Sequence, residues 1–352
     1  MTDGVSIRRE GRAGRVTLTR PGALNALDHE MCRAISAALI DWAQDPEVSV
    51  VLIDAEGERA FCAGGDVARV HREATGGRQA EVQAFWRDEY RMNAMIAEYP
   101  KAVVSFLHGY VMGGGVGLGC HASHRVVCES ARIAMPECGI GLIPDVGGSL
   151  LLARVPGRLG EYLGLTGARM GPGDAIYAGF ADLHVPQDGW TELKRALVET
   201  GQPAAVAAAA APAPAATLPD LLNEAEALFA GETLVDVRAA LQADDGAFAA
   251  EARAALDRGA PLSLGCTLAL LHRLKAERAG IRRALELEYR FTHRALAEAD
   301  FLEGVRALIV DKDKRPRWRH AADALTSEDV AHMFEPLDGV GLDFHDWEDT
   351  AS

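Results

Sequence analysis

Short apolar and β-branched runs alternate with stretches of helical periodicity through the first half of the chain, a pattern that predicts an α/β layer fold. Residues 16–18 read as a strand, and Asp28 stands where it can cap a helix reaching to about residue 43. The apolar run 48–53, interrupted only by Ser49, predicts a strand buried on both faces. A helix is expected over 79–97, stopping before Tyr99-Pro100 because proline disfavours helical geometry in the residue ahead of it. Strands are then expected over 102–107, 125–128 and 132–135, the last ending in Pro136-Glu137.

The strand signal fades after about residue 186. The alanine and proline tract 203–216 reads as a flexible or irregular connection. From Leu218 onward apolar residues recur at helical spacing, as in Leu268, Leu271 and Leu274 and again in Ile281 and Leu285, so the C-terminal portion is expected to be mostly helical. The acidic run 343–349 reads as a solvated end.

Composition narrows this picture. With 352 residues, 49% of them hydrophobic and 25% charged, the chain suits one large α/β domain with a smaller companion, and global disorder is excluded. A formal net charge of −15 repels a polyphosphate backbone, so nucleic acid is not expected as a partner. None of the six cysteines stands in a C-x-x-C spacing, which favours free buried thiols. Residues 1–6 form neither a basic nor an apolar leader, and the reading is a cytoplasmic protein. The alanine tract is interrupted by Pro212 and Pro214 and is too weakly apolar for a membrane span, so no membrane partner is expected.

Three features carry candidate chemistry. Two glycine loops, Ala63-Gly64-Gly65-Asp66 and Gly113-Gly114-Gly115, can aim backbone N–H groups at one spot, and the second is placed to open a helix. Together they can hold the oxyanion of an attacked thioester or ester, or else be turn and packing glycines. Neither follows the G-x-x-x-x-G-K-[ST] or G-x-G-x-x-G order of nucleotide sites. The second feature is the pair Glu137 and Asp145, separated by an apolar, glycine-rich segment. Desolvation there raises a carboxyl pKa and makes a base or nucleophile, while the partner orients a water. The plainer alternative has Asp145 capping a helix near Gly147 and Glu137 in a surface salt bridge. The third is Glu89, which on composition alone belongs on an exposed helix face. Cys120, His121, His124 and Cys128 match no zinc spacing and read as core, so no metal is expected. The basic run 312–319 can grip phosphates of an anionic tail or simply be a solvated loop.

The order of the motifs is itself informative. It runs from Ala60-Phe61-Cys62-Ala63-Gly64-Gly65-Asp66 through His108-Gly109 and Met112-Gly113-Gly114-Gly115-Val116-Gly117-Leu118 to Met135-Pro136-Glu137 and Pro144-Asp145-Val146-Gly147-Gly148. Pro261-Leu262-Ser263-Leu264, Glu288-Tyr289-Arg290 and Glu303-Gly304-Val305-Arg306-Ala307 follow. Over nearly its whole length the chain thus resembles the crotonase (enoyl-CoA hydratase/isomerase) superfamily. The resemblance implies a spiral of β-β-α units binding an acyl-CoA thioester over residues 1–200, a connection at 201–217, a mostly helical region at 218–340 and an acidic tail at 341–352. It implies an oxyanion hole from the amides of Gly65 and Gly114, a catalytic Glu137 with Asp145 as second acid, and substrate contacts from Glu89, Gly114, Glu137 and Asp145.

Enoyl-CoA hydratases carry a second catalytic glutamate where this chain has Gly117. Adding water across a double bond needs two proton-handling groups, so that loss favours thioester hydrolysis, with Gly117 expected to leave room for water. The activity expected from the resemblance is hydrolysis of a short, branched β-hydroxyacyl-CoA, 3-hydroxyisobutyryl-CoA of valine breakdown first among them. No cofactor is expected, coenzyme A being part of the substrate. The alternatives are an enoyl-CoA hydratase or isomerase using Glu137 alone, and a non-catalytic crotonase-like binding protein. Crotonase relatives assemble through C-terminal helices, so a homo-oligomer is one expectation; the other is that the longer helical region here folds back over its own core.

Overall fold

The computed structural model describes residues 3–345, so Met1, Thr2 and the acidic run from residue 346 onward lie outside the described residues. β1 (Val5–Glu10) and β2 (Ala13–Leu18) form an antiparallel hairpin, and β3 (Val50–Ala55) joins β2 in parallel. From there the chain repeats one move. It lays a strand in a large sheet, turns, and lays the next in a small one: β3 then β4 (Ala60–Cys62), β5 (Ala102–Leu107) then β6 (Tyr110–Met112), β7 (His124–Val127) then β8 (Arg132–Ala134). With β9 (Leu183–His184) the large sheet runs β1-β2-β3-β5-β7-β9 and the small one β4-β6-β8. This is the β-β-α spiral expected. β3 is buried through Asp54, as its continuous apolar run requires.

The turn from β5 to β6 depends on Gly109. Its φ is +54°, and a Cβ placed there would lie 2.2 Å from the Arg59 carbonyl oxygen, so only glycine lets the chain pass so directly from one sheet to the other. Two of the helices begin where an aspartate caps them. Asp28 accepts from the Met31 amide at 2.9 Å to start α1 (His29–Gln44), and Asp66 accepts from the Arg69 amide at 3.1 Å to start α2 (Val67–Thr75). α3 spans Gln79–Ala97, as expected, and α4 spans Gly114–Gly119.

The C-terminal region is helical and folds back over its own core. The Ile281–Glu298 helix packs on α3, and the Pro261–Glu277 helix packs on the short helix Gly148–Ala153. The alanine and proline tract is more ordered than its composition suggests. Ala204–Ala209 is a helix that buries Val206 with Val104, Phe106 and Leu197, and the Ala211 amide donates to the His184 carbonyl at the edge of the sheet. Alanine has the highest helix propensity, and its small side chain fits this close approach; Pro212 and Pro214 then keep the chain extended. All six cysteines are free and buried. Among the described residues no helix is long and apolar enough to cross a membrane.

Candidate active site

Strands β4 and β6 lie side by side in the small sheet, so the loops that follow them meet. Gly115 makes the contact: a Cβ there would lie 2.2 Å from the Cys62 carbonyl oxygen. The two candidate amides are brought together as expected, since a Cβ at Gly114 would stand 3.4 Å from the Gly65 nitrogen. Around them the other backbone groups are spent. The Leu27 amide donates to Gly64 O at 2.9 Å and the Asp66 amide to Leu27 O at 2.8 Å, while Gly113 O accepts from Val116 and Gly117. Among the described residues neither the Gly65 nor the Gly114 N–H has a backbone acceptor. Two free, adjacent, preoriented donors are what a developing oxyanion requires.

Three carboxylates converge on these amides. Glu137 opens a tight helical turn directly after β8, with Oε1 2.7 Å from where a Cβ at Gly113 would lie. Glu89 comes from α3, with Oε1 2.6 Å from a Cβ placed at Gly114. Asp145 accepts a hydrogen bond from the Tyr90 hydroxyl at 2.7 Å. They are 6%, 3% and 4% exposed respectively, and all line a cavity of about 400 Å³ whose walls include Phe85, Trp86, Met112 and Phe301. Glu89 is therefore no surface charge. The helix-cap and surface-salt-bridge alternatives also fall: Gly147 precedes the Gly148–Ala153 helix with no side-chain cap, and Glu137 is buried with Oε2 unpartnered.

No lysine or arginine lines this cavity among the described residues, and the electrostatics follow from that. Burial lifts Glu137 well above the ordinary carboxyl range, and the nearby Asp145 charge lifts it further. Glu89 is raised for the same two reasons. Burial pushes Asp145 up to about 6, opposed by the Tyr90 hydrogen bond. Burial and the neighbouring charge thus raise the proton affinity of Glu137 and Glu89, which makes each a stronger base once ionised than an exposed carboxylate.

Sequence reasoning gave no role to Glu288 or Asn93. Glu288 reaches in from the Ile281–Glu298 helix, fully buried, and accepts from the Gly147 amide at 2.8 Å and from the Ser149 hydroxyl. His121 Nε2 lies 2.9 Å from Val146 O. With Val146 at φ +54° and Gly147 at φ +77°, the loop that presents Asp145 is held from three sides. Glu288 lies in a motif recognisable in the sequence, but nothing local told which groups it would face. Gly117 departs from expectation. It leaves no space for water, because a Cβ there would lie 2.7 Å from both Asn93 Nδ2 and Val146 Cβ.

Cys120 and Cys128 are core thiols, and among the described residues no group of three or more His, Cys, Asp or Glu is placed to hold a metal ion. The basic run follows the Arg306–Val310 turn, whose Leu308 and Ile309 line the cavity. Within that segment Arg306 is engaged by Glu303, Asp311 and Asp313, while Lys312 and Lys314 are exposed.

A double sheet wound as a β-β-α spiral, with facing loop amides beside a buried glutamate, defines an acyl-CoA enzyme scaffold, and residues 13–334 match the enoyl-CoA hydratase/isomerase family. The chain belongs to that family. It is 36% identical to the mitochondrial 3-hydroxyisobutyryl-CoA hydrolase of Homo sapiens, over 97% of this chain and 90% of the human one. Among solved structures it is similar to an enoyl-CoA hydratase from Rhodobacter sphaeroides 2.4.1, with 56% identity and a TM-score of 0.92 over 97% of this chain and 100% of that one. A carnitinyl-CoA dehydratase from Mycobacterium thermoresistibile gives 42% identity and a TM-score of 0.92 over 97% and 99% of the two chains.

Proposed function

We propose that this protein is an acyl-CoA thioester hydrolase whose substrate is 3-hydroxyisobutyryl-CoA or a close β-hydroxyacyl relative, acting in valine breakdown in the cytoplasm. The observation that carries the reading is the buried Glu137 carboxylate, unpaired by any cation among the described residues, beside the two free amides of Gly65 and Gly114. The thioester oxygen docks between those amides. Ionised Glu137 then takes a proton from water as the water oxygen bonds to the carbonyl carbon; the oxyanion collapses, the C–S bond breaks, and the departing thiolate takes up the proton to give CoA and the free acid. In the covalent variant Glu137 itself bonds to the carbon, expels the thiolate, and water cleaves the resulting anhydride. Asp145 orients the substrate hydroxyl or the water, and Glu89 contacts the acyl group. Lys312, Lys314 and Arg315, exposed and a few residues along the chain from the cavity-lining Leu308 and Ile309, are the groups available to CoA phosphates.

The names of the two solved relatives favour a second reading, addition of water to an enoyl-CoA. Against it stands position 117, which carries no acid and is packed shut by Asn93 and Val146. A thiol-release assay on 3-hydroxyisobutyryl-CoA, run beside loss of enoyl absorbance on crotonyl-CoA, separates the two. Hydrolysis predicts free CoA from the first substrate, with Glu137→Gln lowering the rate by roughly 10²–10⁴-fold, the usual range for a positioned base. No CoA release, or release untouched by Glu137→Gln, overturns the reading.

A further inference from the structure

On α3, Glu89 and Asn93 stand one turn apart and share a face; on α4, Gly114 and Gly117 do the same. The two pairs meet. Glu89 Oε1 lies 2.6 Å from a Cβ placed at Gly114, and Asn93 Nδ2 lies 2.7 Å from one placed at Gly117. Asn93 is 0% exposed, yet among the described residues neither Oδ1 nor Nδ2 has a hydrogen-bond partner, and Glu89 Oε1 is likewise buried and unpartnered. Buried amides are almost always served, and where protein atoms do not serve them ordered water does. Residues four apart on a helix are side-by-side neighbours, so two such side chains can share one bridging water.

We propose that Asn93 is a positioning residue: it anchors a buried water that bridges its amide to Glu89 and so holds the Glu89 carboxyl against Gly114 of the oxyanion hole. Nδ2 donates to the water, and the water donates to Glu89 Oε1. The glycine at 117 is then the vacancy into which this amide fits. The effect on turnover rests on the thioesterase reading above; the water site does not.

A high-resolution crystal structure of the full chain tests the site directly. An ordered water within about 3 Å of both Asn93 Nδ2 and Glu89 Oε1 is expected. A dry site, or an Asn93 amide bonded directly to protein, overturns the proposal. Two variants test the role. Asn93→Leu keeps the shape and removes both polar atoms; it is expected to lower kcat for CoA release about tenfold, equivalent to one lost hydrogen bond, with KM little changed. Asn93→Ala opens space for a second water and should retain more of kcat than the leucine variant. A residue that only fills space gives the reverse order, Leu near wild type and Ala impaired, and that order overturns the positioning role. Should the wild-type protein release no CoA at all, the thioesterase reading fails while the crystallographic result still decides the water site.

Discussion

The Tyr90 hydroxyl donates to Asp145 Oδ2 across 2.7 Å, and among the described residues no lysine or arginine lines the cavity that Asp145 faces. This neutral donor is what opposes burial at Asp145, whose pKa is pushed up to about 6. Tyr90→Phe removes it, so Asp145 should hold its proton to higher pH. The expected result is a loss of kcat/KM near pH 7 of about tenfold, the weight of one hydrogen bond to a charged group. The acid limb of the pH–rate profile should move upward. A profile unchanged in position would separate Asp145 ionisation from turnover.

Asp145→Asn should move the profile the other way. The Asp145 charge raises the pKa of Glu137, so removing it lets Glu137 ionise at lower pH. Residual hydrolysis by this variant is expected to be slower, with its acid limb displaced toward lower pH than in the wild-type protein. Opposite displacements in Tyr90→Phe and Asp145→Asn, measured as kcat/KM against pH with 3-hydroxyisobutyryl-CoA, are the signature of a coupled carboxylate pair.

How much of this was legible in the sequence depended on whether the determining contact was local. The bounds of α3 and β5 follow from periodicity and a proline, both visible in a short window. The meeting of Gly65 and Gly114 followed from motif order through the resemblance, but the closeness comes from β4 and β6 being neighbours. Asp88 and Glu89 show where local reading stops. They are adjacent charges on one helix, yet Asp88 faces outward to His29 at 2.7 Å while Glu89 is buried. Glu89 points at the glycine-rich α4, where Gly114 leaves its carboxyl room to lie. Asn93 and Gly117 fail to read for the same reason. The glycine looked like open space because the side chain that fills it comes from another helix.

Glu288 links the C-terminal helix to stability. Burial raises its pKa to about 8 from an ordinary 4.5, so the folded state binds this proton more tightly than the unfolded chain does. Its contribution is fully present below pH 4.5 and is lost as pH rises through about 8. Denaturation midpoints in urea should therefore decline across that window. Glu288→Gln keeps an oxygen acceptor and cannot ionise, so its midpoint should decline less steeply. Glu89 and Glu137, raised in the same direction, leave part of the slope in place. Identical slopes in the variant and the wild type would show that the Glu288 proton is not retained on folding.

Gly115 tests whether the two loops of the oxyanion hole are one packed unit. An alanine there would put its Cβ 2.2 Å from the Cys62 carbonyl oxygen and 3.0 Å from Cys62 Cβ. Backbone cannot swing aside as a flexible side chain does, so relief requires β4 and α4 to part. Gly115→Ala is expected to cost about 1–3 kcal/mol, the usual range for overpacking a close-packed interior. Because the displaced strand end leads into Gly65, activity should fall by more than the loss of folded protein accounts for. Gly22→Ala is the control, since nothing lies within 4 Å of a Cβ there; its effect should stay within about 1 kcal/mol. Urea unfolding of both variants beside thiol release per folded molecule makes the comparison. Full specific activity in a destabilised Gly115→Ala protein would mean that the spacing of the two amides does not depend on this contact.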